Sequence, residues 1–312
     1  MSISEEKARR LEQAARLYYE ETKTQQEISV KLGVSRPMVS KLLKQARDLG
    51  IVEIRIKTAG GREDGLIERL ARMFGLKGGL LTAEAGDNQT TNHRLAEAAL
   101  KYIEELGGGL LGLGWGHIIG AMVSLLEAGR PKASAVSDVC PMVGNSGISI
   151  RNYHSNENVR LVAQQTESVP HYLHTPAFAE TRREMELLEQ TEHYLAIRRL
   201  WEKLDVALVN IGNHPSTPDF ASQARYGALL AERQAVGRLI AYYFNGRGEI
   251  IHSDFDYAIQ IPLPLLQQSR NVVGICSANT HWAALGGALR TGLLTHLIAP
   301  ESLVRRLLSE PQ

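Results

Sequence analysis

The chain has 312 residues, 35 Lys plus Arg against 34 Asp plus Glu, and a formal net charge of +1. That length suits two domains, and 44% apolar with 22% charged residues excludes a disordered or fibrous chain. Two cysteines, Cys140 and Cys276, exclude a disulfide-stapled secreted scaffold, and neither a signal peptide nor a membrane-spanning run is present, so a soluble cytoplasmic protein is expected.

The charge is not evenly spread. Residues 22–57 hold eight basic residues (Lys23, Lys31, Arg36, Lys41, Lys44, Arg47, Arg55, Lys57) against Glu27, Asp48 and Glu53, giving +5, so the other 276 residues carry about −4. A small anion-binding module on a larger non-basic body fits this asymmetry, as does a solvated charged face.

Residues 5–21 place Ala8, Leu11, Ala15, Leu17 and Tyr18 at helical spacing. Thr24 with Glu27 three residues on forms a capping box that opens a second helix through Leu32. Gly33 ends that helix where a positive φ is needed. Ser35 caps a third helix, with Pro37 in its first turn, running to Leu49 before Gly50. Val39, Leu42, Leu43 and Ala46 face inward, while Arg36, Ser40, Lys41, Lys44 and Arg47 make a polar, mostly basic face. The alternating run Ile51–Lys57 reads as a strand.

Helix, helix, glycine turn, basic helix and strand describe a winged helix-turn-helix DNA-binding domain over residues 1–58. The third helix is expected in the major groove, with Ser35, Arg36 and Pro37 leading, Arg36 addressing guanine and Ser40 a less specific base. Lys41 and Lys44 would neutralise phosphates, and Thr24, Gln25 and Gln26 would hold a backbone phosphate at the start of the second helix. The partner is then operator DNA.

Residues 59–76 read as a linker and connecting helix, the latter carrying Leu66, Ile67, Leu70, Met73 and Phe74 at helical spacing. That stripe packs within its own domain or joins two copies. From residue 77 to 312 short apolar runs alternate with helical stretches, the pattern of an α/β domain with an open, mostly parallel sheet. Strands are expected at Gly79–Ala83, Leu110–Gly114, Val136–Val143, Val206–Gly212, Val272–Ser277 and His296–Ala299. Helices are expected at Asn92–Leu106, His117–Glu127, Thr181–Lys203, Gln234–Asn245, His281–Thr291 and Glu301–Ser309.

Ligands of such sheets bind at the carboxyl ends of strands, so the strand-to-helix junctions are the places for a site. One junction is Leu111-Gly112-Leu113-Gly114-Trp115-Gly116-His117, whose glycines let backbone N–H groups approach an anion, although tight turns favour glycine for steric reasons too. The others are Val143-Gly144-Asn145-Ser146-Gly147, Val209-Asn210-Ile211-Gly212-Asn213 and Gly274-Ile275-Cys276-Ser277-Ala278-Asn279-Thr280-His281. The effector residues expected from them are Gly112, Gly114, Trp115, Gly116, His117, Asn145, Ser146, Gly147, Gly212, Ser277, Asn279, Thr280 and His281.

Neither a cofactor nor a metal is expected, because His171 and His174 lack acidic or thiol partners at fixed offsets. The stretch Gly147–Glu180 reads as an exposed loop or a lid. Asp254 and Asp256 read as solvating a turn rather than binding hydroxyls, and Cys140 and Cys276 as small core residues.

Taken together these stretches resemble the SorC family of bacterial transcriptional regulators, which respond to phosphorylated sugars and related metabolites. The resemblance spans nearly the whole chain. In the head it rests on Ala15-Arg16-Leu17-Tyr18-Tyr19-Glu20, Thr24-Gln25-Gln26-Glu27-Ile28, Leu32-Gly33-Val34-Ser35-Arg36, Val39-Ser40-Lys41-Leu42-Leu43 and Gly50-Ile51-Val52. In the body it rests on Gly112–Gly116, Asp205–Gly212, Ala235-Val236-Gly237 and Tyr242–Ile251. It implies an effector domain similar in fold to ribose-5-phosphate isomerase and glucosamine-6-phosphate deaminase, and a homo-tetramer or dimer. Gly112, Gly114, Trp115, Gly116 and His117 would then line the effector pocket.

The chain departs from that family at three places. The family pattern has Gly-Gly-x-x-Lys where this chain has Ser277-Ala278-Asn279-Thr280-His281, an aspartate where it has Arg238, and a Phe-Phe-Asp-like stretch where it has Tyr243-Phe244-Asn245. A histidine is only partly charged near neutral pH. The effector is therefore an unphosphorylated polyol, sugar or sugar acid, or a sugar phosphate held differently. No paired carboxylates stand at the junctions for general acid–base work. A regulator that catalyses nothing is expected, with a sugar-phosphate isomerase or deaminase carrying an autoregulatory head as the alternative.

Overall fold

The computed structural model describes residues 5–19, 21, 23–48, 51, 64–129, 135–216 and 222–310. The chain divides into two units, Met1–Arg62 and Glu63–Gln312, each taken by itself.

The first unit holds α1 (Glu5–Tyr19), α2 (Gln25–Leu32) and α3 (Arg36–Asp48). Leu11, Ala14, Ala15, Leu17, Ile28, Val39, Leu42, Leu43 and Ala46 bury together, so the inward stripe expected for α3 is the one that packs. Gly33 takes φ 63°, and its N–H returns to the carbonyls of Ser29 and Val30. That left-handed step lets α3 reverse sharply on α2. Of the strand expected at Ile51–Lys57 only Ile51 is described, and the rest of it, with linker residues 59 to 63, lies outside the described residues.

In the second unit α4 (Asp64–Phe74) leads into β1 (Gly78–Thr82), α5 (Asn88–Glu105), β2 (Gly109–Leu113), α6 (His117–Glu127) and β3 (Val136–Pro141). A single 3-10 turn at Arg151–Tyr153 precedes α7 (Ser155–Thr166), β4 (Val169–Pro170), α8 (Arg182–Glu189), α9 (Glu192–Trp201) and β5 (Val206–Asn213). Then come α10 (Ser222–Tyr226), α11 (Leu229–Glu232), β6 (Ala235–Leu239) and β7 (Tyr242–Asn245). The chain closes with α12 (Leu263–Gln268), β8 (Asn271–Ile275), α13 (Trp282–Arg290), β9 (His296–Pro300) and α14 (Glu301–Ser309).

Seven strands pair in the order β1-β9-β8-β5-β2-β3-β4, every pair parallel, and β6 and β7 form an antiparallel hairpin on the end of β5. Both faces are covered. Val206 and Leu208 enter the layer with α5, α6 and α7, while Ala207, Val209 and Ile211 enter the opposite core with Trp201, Leu285 and Val304. A parallel strand buried on both sides reads as a continuous apolar run, which is why these strands were visible in the sequence.

Four expectations change. The helix expected over Gln234–Asn245 is the β6–β7 hairpin, with Arg238 opposite Tyr243 and Ile240 at φ 57° in the turn; Val236, Tyr242, Tyr243 and Phe244 are strand formers whose spacing imitates a helix over so short a run. The helix expected over Thr181–Lys203 is two helices, because Thr191 caps α9 by accepting the Tyr194 N–H at 3.3 Å. Gly147–Glu180 is not an exposed loop: it contains α7, whose Asn158, Val159, Val162 and Ala163 are buried. Asp256 does not solvate a turn, since it accepts hydrogen bonds from the Arg225 guanidinium (Nε at 2.9 Å) and the Tyr226 hydroxyl at 2.5 Å.

The stripe on α4 packs within its own unit, with Leu70 fully buried and Leu66 and Phe74 against the same core. Cys140 and Cys276 are both buried, and burial pushes both thiols up and out of reactive range. Among the described residues no helix is long and apolar enough to cross a membrane.

Candidate DNA-reading helix and effector cradle

The head presents its reader through caps. Thr24 Oγ1 accepts the Glu27 N–H at 3.3 Å, and the Glu27 carboxylate accepts the Thr24 N–H at 2.8 Å, which lowers the Glu27 pKa. The hydroxyl of Thr24 is thus engaged in the cap, while Gln26 is exposed and Gln25 half-buried at the helix start. The Ser35 carbonyl accepts the Val39 N–H at 3.1 Å, the first bond of α3. Ser35, Arg36, Pro37, Ser40, Lys41 and Lys44 are all exposed while Val39, Leu42 and Leu43 are buried, so packing turns the basic face outward. No acidic residue lies in the first turn of α3 to oppose an incoming phosphate.

Strand order decides the second site. β8, β5, β2 and β3 are neighbours and parallel, so the four junctions read from the sequence emerge side by side on the carboxyl edge. Trp115 is buried, donates Nε1–H to the Ile240 carbonyl at 3.1 Å and meets Tyr153 edge to face at 5.9 Å. Gly116 is the N-cap of α6 at φ 133°, ψ 177°, with no side-chain cap, and a Cβ there would lie 2.8 Å from Asn210 Cγ. His117 is exposed, with Nδ1 3.4 Å from Asn152 Nδ2 and its ring 6.1 Å from Tyr153.

The other junctions are largely self-bonded. Asn145 accepts the Asn156 N–H at 3.2 Å and, through its backbone, bonds Thr175 and Ala177, fixing the exit of β3. Ser146 accepts the Ile148 N–H at 3.3 Å, and Gly147 is exposed. Ser277 N–H donates to Thr280 Oγ1 at 2.8 Å; Asn279 Oδ1 accepts from Asn88 at 2.8 Å, and its carbonyl accepts from Asn213 at 2.8 Å. His281 N–H donates to Asn213 Oδ1 at 2.8 Å, and its imidazole Nδ1 accepts the Ala283 N–H at 3.3 Å, so it caps α13.

Gly112 stands apart from the cradle. It lies within β2, where a Cβ would meet Leu204 and Met142 at 3.0 Å, so its lack of a side chain serves sheet packing. Gly114 donates to the Leu208 carbonyl at 3.0 Å and holds β2 close to β5. Gly212 faces Arg238, whose Nε lies 3.1 Å from the Cβ position.

Sequence reasoning missed Asn210, Asn213 and Tyr153. The two asparagines stood inside the Val209–Asn213 junction and carried a usable signal. Tyr153 comes from the 3-10 turn before α7 and had none. Tyr153 is buried, which raises its pKa, and it hydrogen-bonds with Arg238. His171 bonds Asp138 at 2.8 Å, lowering that carboxyl, and His174 lies ring to ring with His193 at 5.9 Å. A cavity of about 580 Å³ beside β4 and α9 is lined by these histidines with Tyr172 and Arg199, and by none of the junction residues.

A helix-turn-helix with an outward basic face, followed by an α/β domain with a cradle at its strand ends, defines a DNA-binding transcriptional regulator with an effector domain. Residues 62–309 match the Sugar-bind family model, described as "Putative sugar-binding domain", and residues 12–48 match "Sigma-70, region 4". The chain is 26% identical to the deoxyribonucleoside regulator of Bacillus subtilis (strain 168), over 96% of each chain. It is 28% identical to the sorbitol operon regulator of Klebsiella pneumoniae, over 94% of this chain and 96% of that one. The crystal structure of full-length SorC from Klebsiella pneumoniae superposes with a TM-score of 0.78 at 26% identity, covering 99% of this chain and all of the other. The chain belongs to the SorC family of sugar-responsive bacterial transcriptional regulators.

Proposed function

We propose that this regulator binds a sugar, polyol or sugar phosphate in the cradle between Trp115, Gly116, Asn210 and Gly212, and that the bound ligand sets its operator affinity. The observation that carries the reading is the pairing, in one chain, of an outward basic α3 with a strand-end cradle rich in glycine, asparagine and threonine. Arg36 addresses a base edge, Ser40 a second contact, and Lys41 and Lys44 the phosphates, with Gln25 and Gln26 at the adjoining backbone. The relatives' names, a sorbitol and a deoxyribonucleoside regulator, support a polyhydroxylated effector.

The ligand acts by binding one of two states of the protein better, which shifts their populations by no more than that difference. A homo-tetramer or dimer in the cytoplasm places several heads on palindromic half-sites. The cradle offers amide, hydroxyl and imidazole groups rather than paired carboxylates, which supports a binder over an isomerase or deaminase.

The test measures operator binding with and without sugars, polyols and their phosphates, and assays turnover of any that binds. Lys44→Ala is expected to weaken all sequences and reduce the salt slope by about one unit, and Arg36→Ala to cost about 1–3 kcal/mol of base discrimination. Absence of DNA affinity at low salt sinks the regulator reading, and turnover of a bound sugar sinks the non-enzyme one.

A further inference from the structure

The His-Tyr-Leu-His run at 171–174 takes no part in the cradle, and it is held firmly in place. Leu173 is fully buried; its N–H donates to Asn156 Oδ1 at 3.0 Å and its carbonyl accepts the Asn156 amide at 3.1 Å. His171 is oriented too, its Nε2 2.8 Å from Asp138 Oδ1. The rings of Tyr172 and His174 stand 6.1 Å apart, and His193 of α9 meets His174 edge to face at 5.9 Å. Three rings in succession therefore line the cavity of about 580 Å³ beside β4, a size that suits a small organic ligand.

The rest of the lining comes from α9 and the residues after it. Tyr194, Ile197 and Trp201 anchor the helix in the core, and the Trp201 indole N–H donates to the Pro141 carbonyl at 2.9 Å. Ala196, Ile197 and Leu200 bring apolar surface to the cavity, and Arg199 and Lys203 bring two cations. No carboxylate is among its described lining residues. Arg199 does pair with Glu192 at 3.1 Å, but the two side chains are 60% and 80% exposed, and so hydrated a pair contributes little and yields to a better partner. Histidines are only partly charged near neutral pH, so the lasting positive charge here is that of Arg199 and Lys203.

We propose that this cavity is a second ligand site, separate from the cradle, for an organic anion with a flat ring. The ring lies against Tyr172, His174 and His193, and the anionic group reaches Arg199 and Lys203. A neutral polyol has no flat face to offer the rings and forgoes the charge-assisted bonds, while an inorganic anion has no body to cover the apolar surface. Because Leu173, His171 and Trp201 already fix both parts of the lining, little ordering has to precede binding.

The full-length protein is titrated calorimetrically with adenosine 5′-monophosphate and 2-naphthoate, two sources of a ringed anion, and with adenosine and inorganic phosphate. At least one ringed anion is expected to bind about tenfold or more tighter than adenosine and phosphate, each of which lacks half of that chemistry. Excess D-glucitol 6-phosphate does not compete with it. Ala196→Glu, a good helix former at an exposed position of α9, and the double variant Arg199→Gln with Lys203→Gln both remove the binding. Unchanged circular dichroism and melting temperature show that these variants fold. Failure of both ringed anions to bind, equal binding of adenosine, binding that survives the double variant, or competition by glucitol 6-phosphate overturns the proposal. So does Ala196→Glu changing the oligomeric state while leaving the ringed anion bound, which would make this face a contact between copies of the chain. Zn²⁺ binding that needs His174 and His193, with neither anion bound, overturns it in favour of a metal.

Discussion

Replacing Gly116 with alanine tests the cradle's construction directly. Gly116 sits at φ 133°, ψ 177°, a region open essentially to glycine alone. Holding a non-glycine residue there costs roughly 1–3 kcal/mol. The added methyl would also lie 2.8 Å from Cγ and 2.9 Å from Cβ of Asn210, closer than real Cβ contacts, and a tight 3.2 Å from its Nδ2. Overpacking of this kind costs about 1–3 kcal/mol, so the sum is about 2–6 kcal/mol against the effector unit. Urea unfolding followed by far-UV circular dichroism reads that loss. A double-mutant cycle with Asn210→Gly separates its parts, since removing the Asn210 side chain relieves all three contacts and leaves the backbone strain. Gly147→Ala is the control, because nothing stands within 4 Å of its Cβ position and its φ is not positive, so it stays within about 0.5 kcal/mol of the parent. Should Gly116→Ala prove as mild as Gly147→Ala, the account of a close α6–β5 approach is refuted.

Two further outcomes rest on contacts within each unit. Thr24→Ala removes the side-chain arm of the capping box, leaving the backbone N–H that the Glu27 carboxylate accepts, and is expected to lower head stability by about 1 kcal/mol, with Thr24→Ser restoring it; equal melting of all three proteins would show the cap to be idle. His296 is buried in β9, and burial with the nearby Lys77 charge lowers its pKa, so the unfolded chain takes up the proton first as pH falls. Stability from this group is therefore complete above the ordinary value of about 6.5 and falls below it by at most about 1.4 kcal/mol per pH unit. The difference in urea midpoint between the parent and His296→Gln, measured from pH 5 to 8, should shrink toward acid; a constant difference contradicts the assignment.

How much of this was legible beforehand depends on the range of the interactions. The head was open to local reading: Thr24 and Glu27 bond each other across one turn, Gly33 needs its φ for steric reasons, and α3 buries the stripe its spacing displays. The parallel strands were readable because burial on both faces leaves β-rich apolar runs bounded by glycine. The hairpin of β6 and β7 was not, since an eleven-residue run of mixed spacing fits either period until β5 offers an edge to pair with. Helix α7 was hidden behind a polar entry in which buried Ser155 bonds the Gly144 carbonyl and half-buried Asn156 bonds the Leu173 carbonyl, contacts no local pattern displays.

The cradle divides the same way. Composition alone located the four junctions, because small and glycine residues are what close strand-to-helix turns require. Only the strand order places β5 between β2 and β8, setting Asn210 against Gly116 and Arg238 over Gly212. Pairing between residues so far apart in sequence is settled by the packing of the whole sheet, and no local pattern records it. The sequence determined a DNA-reading head and an α/β body; the tertiary structure decided which groups stand together at the carboxyl edge of the sheet.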